Sequence, residues 1–402
     1  MTISFFCDIN PFLESSAIAN RYAGLLKGLS LNGAIINMFI LNDLDPEESE
    51  MRLANLKEGI RVNYCPYHKK QTKSKVELIK EALFGVRHTS KQEKWLLERF
   101  KAEADCVWLA GGPAFRRSFN KYRNQISCLT FIEFSEFQQL YKEEKTYLIK
   151  QWQYWREYKV TCNVISHVDC IAVMTKVLED YYKKLAGHNT KFIHLPMTVD
   201  VSRFAGKSPA IPDYKQPYIA FTGTYTDRKD GVSILIEAFA KISDKYPSLH
   251  LLLAGFQHPD MEGQKVLIRK YNLQERISHI GMIDKSEVPS FIGNACLLAL
   301  SRPDSHQAQG GFPTKLGEYL ATGNPVCVTK VGEIPNYLED NVSAFMAEPG
   351  DVDSFADAMD RALRDETNAK RVGANGRKVA EENFDAEKQA KRLSQFLIDC
   401  LK

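Results

Sequence analysis

The chain has 402 residues and carries 53 Lys and Arg against 50 Asp and Glu, a formal net charge of +3. That length exceeds one ordinary core, so two domains are expected; no low-complexity tract breaks the composition, and no apolar run reaches the roughly 18 residues a membrane span needs. The nine cysteines are scattered without a C-x-x-C pair, which reads as reduced thiols rather than a zinc site, and the opening MTISFFCDINPF lacks the basic region and small-residue cleavage site of a signal peptide.

In chain order, Ile3–Cys7 predicts a first buried strand, Ser16–Leu31 a helix and Ile35–Leu41 a second strand. Further strands are expected at Arg61–Tyr64, Cys106–Ala110, Cys128–Phe131, Cys170–Met174 and Lys191–Leu195, with helical patterns between most of them. Short apolar runs alternating with amphipathic helices predict a mainly parallel sheet covered on both faces. Lys207–Pro217, with three prolines, reads as a linker. A second series follows. Strands are expected at Tyr218–Phe221, Leu249–Ala254, Ile277–Ile280, Cys296–Leu300 and Val326–Thr329, with helices at Val232–Tyr246, Gly263–Tyr271 and near Lys285–Asn294. Asp351-Val352-Asp353 caps a helix to about Arg364, and a last helix runs from about Asp385 to Lys402. The expected fold class is α/β, two Rossmann-like doubly wound domains facing across a cleft, with ligands at the carboxyl ends of both sheets.

Charge is divided unevenly. Residues 1–210 hold 30 Lys and Arg against 23 Asp and Glu, whereas residues 211–402 hold 23 against 27. The basic excess gathers at His68–Lys75 and Phe115–Arg123. Such runs are most often solvated faces; the sharper reading is attraction to an anionic membrane surface or an acidic acceptor. No helix-turn-helix, zinc-finger spacing or aromatic RNP-like strand points to nucleic acid. Tyr147–Tyr158 is a helical stretch dense in aromatics, with Trp152 and Trp155 three apart on one face. It reads as packing or, alternatively, as a docking helix.

The most informative stretch is Gly310–Thr329, GGFPTKLGEYLATGNPVCVT. Gly310, Gly311, Phe312 and Pro313 allow backbone N–H groups to approach a ligand, and the helix from Thr314 presents its positive end to the same place. Glu318, one turn inside, can accept two hydrogen bonds from a diol. A polyanion site beside a diol acceptor suits the diphosphate and ribose of a nucleotide sugar. Gly223 ends a strand where a phosphate would approach, and Arg228 and Lys229 precede the next helix as candidate cations; the plain alternative is a solvated turn. Neither this loop nor Cys7–Pro11 is G-x-G-x-x-G, which argues against a nicotinamide-dependent enzyme.

These residues resemble the retaining glycosyltransferases of family 4, which have the B-type glycosyltransferase fold. The resemblance covers most of residues 170–365. Pro196-Met197-Thr198-Val199-Asp200 is similar to the family's P-N-G-V-D, Gly223 through Gly231 to its G-R-L-x-x-x-K-G loop, and Glu318 to Val326 to its E-A-M-A-x-G-x-P-V-V. The resemblance implies that Glu318 binds the ribose, that Lys229 lies on the donor diphosphate, that Gly311, Phe312, Pro313 and Thr314 form the loop contacting sugar and phosphate, and that Gly281, Met282 and Ile283 hold the base. There are two departures. Gly310 stands where the family has its first glutamate, with Asp304, His306 and Gln309 nearby as substitutes. Thr224 stands where it has an arginine, for which Arg228 or Lys315 can supply charge.

In the first half, Asn20 and Arg21 are candidates for phosphate or acceptor, and Glu136, with Glu133 and Ser135 beside it, for a catalytic role. The metal readings of Asp43-x-Asp45 and Asp351-x-Asp353 are rejected, so no metal and no cofactor is expected beyond the nucleotide diphosphate sugar donor. The implied division is residues 1–206 on the acceptor side, 207–383 for the nucleotide sugar, and 384–402 as a helix packing back toward the first domain. The implied activity is sugar transfer to an acceptor hydroxyl with retention, in surface polysaccharide or lipid-linked oligosaccharide synthesis. The expected location is cytoplasmic, peripheral at the inner face of the membrane. The rivals are a nucleotide-sugar epimerase of the same fold and a non-catalytic nucleotide-sugar or polysaccharide-binding subunit.

Overall fold

The computed structural model describes residues 1–13, 16–41, 59–67, 75–137, 148–204, 206, 214 and 217–402. Most of the linker 207–217, the basic run 68–74, the acidic loop with Asp43 and Asp45, and Tyr147 lie outside these residues. The chain divides into two compact units, Met1–Leu195 with Gln389–Lys402, and Pro196–Lys388.

The first unit holds seven parallel strands: β1 (Thr2–Cys7), β2 (Ile35–Ile40), β3 (Ile60–Tyr64), β4 (Cys106–Leu109), β5 (Leu129–Phe134), β6 (Cys170–Val173) and β7 (Lys191–His194). Their order is β3-β2-β1-β4-β5-β6-β7. The strand order reverses between β1 and β4, which pair in parallel. The helices are α1 (Ala17–Leu31), α2 (Lys75–Phe84), α3 (Ser90–Phe100), α4 (Pro113–Tyr122), α5 (Leu148–Ile165) and α6 (Lys176–Lys183). Runs such as Ile3–Cys7, apolar but for the buried Ser4, form strands buried on both faces, as a parallel sheet requires. Ser16 caps α1 by accepting from the Ala19 N–H, and Thr89 with Gln92 forms a capping box on α3.

In the second unit the order is β10-β9-β8-β11-β12-β13, from β8 (Tyr218–Thr224), β9 (His250–Phe256), β10 (Ile277–Gly281), β11 (Leu297–Leu300), β12 (Val326–Thr329) and β13 (Phe345–Ala347). All described pairings are parallel, and the order reverses between β8 and β11. Helices α7 (Asp227–Asp230), α8 (Val232–Ile242), α9 (Met261–Lys270), α10 (Val288–Gly293), α11 (His306–Gly310), α12 (Thr314–Thr322), α13 (Ile334–Tyr337), α14 (Val352–Arg364) and α15 (Glu366–Val379) connect or flank them. A π-helical turn, Ala380–Phe384, leads into α16 (Ala386–Leu401). From Gln389 onward α16 belongs to the first unit, where Ala390, Leu393 and Leu397 are fully buried in the core with Phe5, Leu25 and Trp108.

β13 and α15 are among the elements absent from the sequence expectation. β13 is only three residues long and exists by pairing with β12. Helix α15 contains Gly373 and Gly376, which disfavour helix by about 1 kcal/mol each relative to Ala. Tertiary packing overrides that: a Cβ on Gly373 would collide with the Gly323 carbonyl, and one on Gly376 would stand 2.6 Å from the Ser343 carbonyl oxygen.

The burial of α16 sets a stability test. Leu393→Ala should remove about 2–5 kcal/mol, the usual loss for a fully buried leucine. Urea unfolding followed by tryptophan fluorescence should show a transition at clearly lower urea; Lys402→Ala, at the exposed end of the same helix, should leave it in place. Equal midpoints for the two variants would show that α16 contributes nothing to the first unit's core.

Candidate functional site

The strand reversal between β8 and β11 opens the second sheet at its carboxyl edge, the place where doubly wound sheets bind ligands. Gly223 lies at the end of β8 with φ +150°, and a Cβ there would collide with Lys315 Nζ. The positive φ favours glycine, and the Lys315 ammonium occupies the space that a side chain would take. Lys315 comes from the first turn of α12. Its Nζ lies 2.9 Å from Asp230 Oδ1 and 4.7 Å from the centre of the Phe221 ring. The two charged side chains are 17% and 4% exposed. Burial pushes the Lys315 ammonium below the usual lysine range, Asp230 opposes that shift, and the positive charges of Arg302 and Lys229 add to it. The positive charges of Arg302 and Lys229 are thus felt at the Lys315–Asp230 pair.

Helix α12 begins at Pro313 without a side-chain cap. Tyr319 ties the helix to β8: its hydroxyl accepts from the Thr222 N–H at 2.6 Å and hydrogen-bonds Thr222 Oγ1 at 3.1 Å. One turn in, Glu318 Oε1 accepts from Arg203 Nη1 at 3.1 Å, and Arg203 Nη2 donates to the Lys285 carbonyl at 3.2 Å. Burial raises the Glu318 carboxyl above the usual range, while Arg203, Lys285 and Lys315 pull it back. The second Glu318 oxygen accepts no hydrogen bond among the described residues. Gly317 explains how Arg203 reaches this position. Its missing Cβ would stand 2.7 Å from Met197 Sδ and 3.2 Å from Val199 Cβ, so the Pro196–Asp200 segment packs directly on α12 and sets the 3-10 turn Val201–Phe204 beside Glu318.

The second unit therefore brings together Gly223, Lys315 and Glu318 on adjoining elements. Thr224, at the end of β8, is partly exposed; Arg228 and Lys229 on α7 are exposed. Gly310, Gly311, Phe312 and Pro313 are buried, with Thr314 half-buried behind them. The Phe312 ring packs on Tyr337 and Phe384, so that side chain is core and only its backbone is available to a ligand. Of the residues near Gly310, Gln309 Nε2 donates to Asp304 Oδ1 at 2.6 Å, and His306 is exposed. Gly281 closes β10, two strands from β8, with φ +78°, and donates its N–H to Tyr225 Oη at 3.1 Å. Met282 is 59% exposed and Ile283 half-buried.

The first-half candidates lie in the other unit. Arg21 is 1% exposed; its Nε forms an ion pair with Glu133, and its Nη2 donates to the Leu195 carbonyl at 2.8 Å. The Asn20 Oδ1 is buried without a hydrogen-bond partner. Glu136 is exposed, and its backbone carbonyl accepts from the Tyr182 hydroxyl at 2.8 Å. Sequence reading missed Arg203, Asp230, Lys285 and Arg302. Arg302 carried a signal, a cation directly after a central strand at the reversal point, and Asp230 was the residue between Lys229 and Gly231 in the loop already singled out.

Residues 207–379 match the family model for glycosyl transferases group 1. The N-acetyl-alpha-D-glucosaminyl L-malate synthase of Bacillus anthracis is 28% identical over 171 residues, 42% of this chain and 42% of that protein. The chain spans about half the length of the curated relatives it matches. Among solved structures, sucrose-phosphate synthase from Thermosynechococcus elongatus superposes with a TM-score of 0.74 at 17% identity, covering 99% of this chain and 98% of that one. Anabaena HepE, crystallised with UDP and glucose, gives 0.70 at 14% identity, covering 99% and 100%. The chain has the B-type glycosyltransferase fold, and residues 207–379, within its second unit, match the glycosyl transferases group 1 family.

Proposed function

We propose that the protein transfers a sugar from a nucleotide diphosphate sugar to an acceptor hydroxyl with retention at the anomeric carbon. The observation that carries this reading is the buried Lys315 ammonium, held at Gly223 by Asp230 beside the uncapped start of α12, with Glu318 one turn further on. A diphosphate placed there meets Lys315, Lys229 and Arg302, and Glu318 offers its unoccupied oxygen to a diol. In the reaction the bond from the anomeric carbon to the diphosphate breaks, and a bond to the acceptor oxygen forms. The acceptor proton passes to the leaving diphosphate, so no protein base is required. Cations and backbone N–H groups stabilise the charge that grows on the leaving group.

The acceptor class proposed is a saccharide or lipid-linked saccharide of surface polysaccharide synthesis, worked at an anionic membrane surface from the cytoplasmic side. In support, Trp152 and Trp155 on α5 are 43% and 47% exposed and are overlain by Arg156 and Lys159. Amphipathic rings with cations suit a headgroup layer. No helix among the described residues is long and apolar enough to cross a membrane.

Three measurements test the reading. Glu318→Ala should weaken nucleoside diphosphate binding at least tenfold in calorimetry, with circular dichroism unchanged, because charge-assisted hydrogen bonds contribute about 1.5–3 kcal/mol each; an unaltered Kd removes Glu318 from the site. Turnover should persist in excess EDTA, since the cations already serve the phosphate; complete loss restored by magnesium or manganese would show a metal-dependent site. Lys315→Ala combined with Asp230→Asn, which avoids stranding a buried carboxylate, should lower kcat about tenfold or more at saturating donor. Wild-type kcat in that variant contradicts the leaving-group role.

A further inference from the structure

Arg203 lies outside every segment that the sequence pattern singles out, yet it touches two elements of the second unit at once. Its Nη1 donates to Glu318 Oε1 at 3.1 Å, and its Nη2 donates to the Lys285 carbonyl at 3.2 Å. Lys285 follows Gly281–Ile283, the segment expected to hold the base. One planar fork therefore ties the carboxylate on α12 to the loop after β10. A guanidinium can hold two acceptors in fixed directions, whereas a lysine ammonium acts as a point charge.

The turn that carries Arg203 is itself fixed. Asp200 Oδ1 accepts from the Ser202 N–H at 3.2 Å, and the Asp200 carbonyl accepts from the Arg203 N–H at 3.2 Å. Arg377 Nη1 donates to the Phe204 carbonyl at 3.2 Å, which pins the other end. The guanidinium carbon stands 5.6 Å from the centre of the buried Phe204 ring. Met197 and Val199 pack on Gly317, the residue before Glu318, so the turn moves away from α12 only if that contact opens. An arginine held this way loses little further freedom when it orients a partner.

Glu318 keeps 21% of its side chain exposed, enough for a ligand to reach it. Burial pushes its carboxyl up, and Arg203 is the foremost group opposing that shift, ahead of Lys285 and Lys315. The neighbouring Tyr319 hydroxyl is turned to Thr222 instead. We propose that Arg203 is the positioning residue of the donor site: by holding Glu318 Oε1 it aims the second carboxylate oxygen at the vicinal hydroxyls of a nucleoside ribose. The role rests on the reading of Glu318 as the acceptor for that diol. Arg203 also keeps the carboxylate charged. Without it, Glu318 takes up a proton at higher pH, and a protonated carboxyl has less capacity to accept from two hydroxyls. The loss of binding is then largest at low pH and fades as pH rises through the raised carboxyl range.

The test compares UDP with 2′-deoxy-UDP, and GDP with 2′-deoxy-GDP, by calorimetry on the full chain. Each pair differs by one ribose hydroxyl, so phosphate and base contribute alike to both members. Wild type should prefer the ribonucleotide about tenfold, near pH 6 and near pH 8.5 alike, as one charge-assisted hydrogen bond implies. Arg203→Gln should reduce that preference to about twofold or less near pH 6 and recover about fivefold near pH 8.5. Arg203→Lys, which keeps a cation without the fork, should show one reduced preference at both. Circular dichroism should be unchanged in both variants. In 13C NMR the Glu318 carboxyl carbon, identified by its loss in Glu318→Gln, should titrate at higher pH in Arg203→Gln than in wild type. An Arg203→Gln variant that keeps the wild-type preference, or loses it equally at both pH values, overturns the inference, as does an unmoved Glu318 titration. A wild type that binds ribonucleotide and deoxynucleotide alike takes Glu318 off the ribose, and the role of Arg203 falls with it. Absence of any UDP or GDP binding to the wild type overturns the donor reading instead; the Glu318 titration then decides by itself whether Arg203 governs that carboxylate.

Discussion

The second unit is organised around an ammonium group that has been taken out of water. Lys315 is opposed by one carboxylate, Asp230, and crowded by two further cations. Buried ion pairs seldom stabilise a fold, because desolvation offsets most of the attraction. The pair therefore contributes little to stability by itself, and its lysine sits in the first turn of α12, a helix without a side-chain cap.

Holding Lys315 there imposes packing constraints that reach through the unit. Gly223, at a positive φ, leaves the space that the Lys315 ammonium occupies at the end of β8. The Tyr319 hydroxyl fixes α12 to the Thr222 backbone, which sets the height of Lys315 above the sheet. Gly317 admits Met197 against the same helix, and that contact carries Arg203 to Glu318. The Glu318 carboxylate is thus oriented by a residue 115 positions away in the chain. A local change at any of these points moves the cations and the carboxylate together.

The first unit solves a different problem with the same topology. Its interior contains the fully buried Arg21–Glu133 pair, which joins α1 to β5 and adds a hydrogen bond to the Leu195 carbonyl at the end of β7. Glu133 stands near the carboxyl end of β5 and Leu195 directly after β7, so the pair packs toward the carboxyl edge of the sheet.

The sequence by itself determined the alternation of apolar runs and helices, and all seven strands of the first sheet and five of the six in the second were legible from it; the central strands are buried on both faces and so largely apolar, whereas the edge strands β3 and β7 keep polar residues at exposed positions. It also determined the Gly310–Thr329 unit, since a glycine-rich loop, a helix start and a carboxylate one turn on are local in the chain. Lys315 was legible as a cation near that helix start. Only the tertiary structure decided what each charge does. It paired Lys315 with Asp230 and Glu318 with Arg203, withdrew Arg21 into the core and left Glu136 exposed. It placed Asp8 against Gly112, 104 residues away. Helix α15 escaped sequence reading because its glycines oppose helix locally and are required only by close contact with Gly323 and Ser343. Periodicity records which face of an element is buried; which side chains meet depends on contacts between elements far apart in the chain, and those are set only when the sheets assemble.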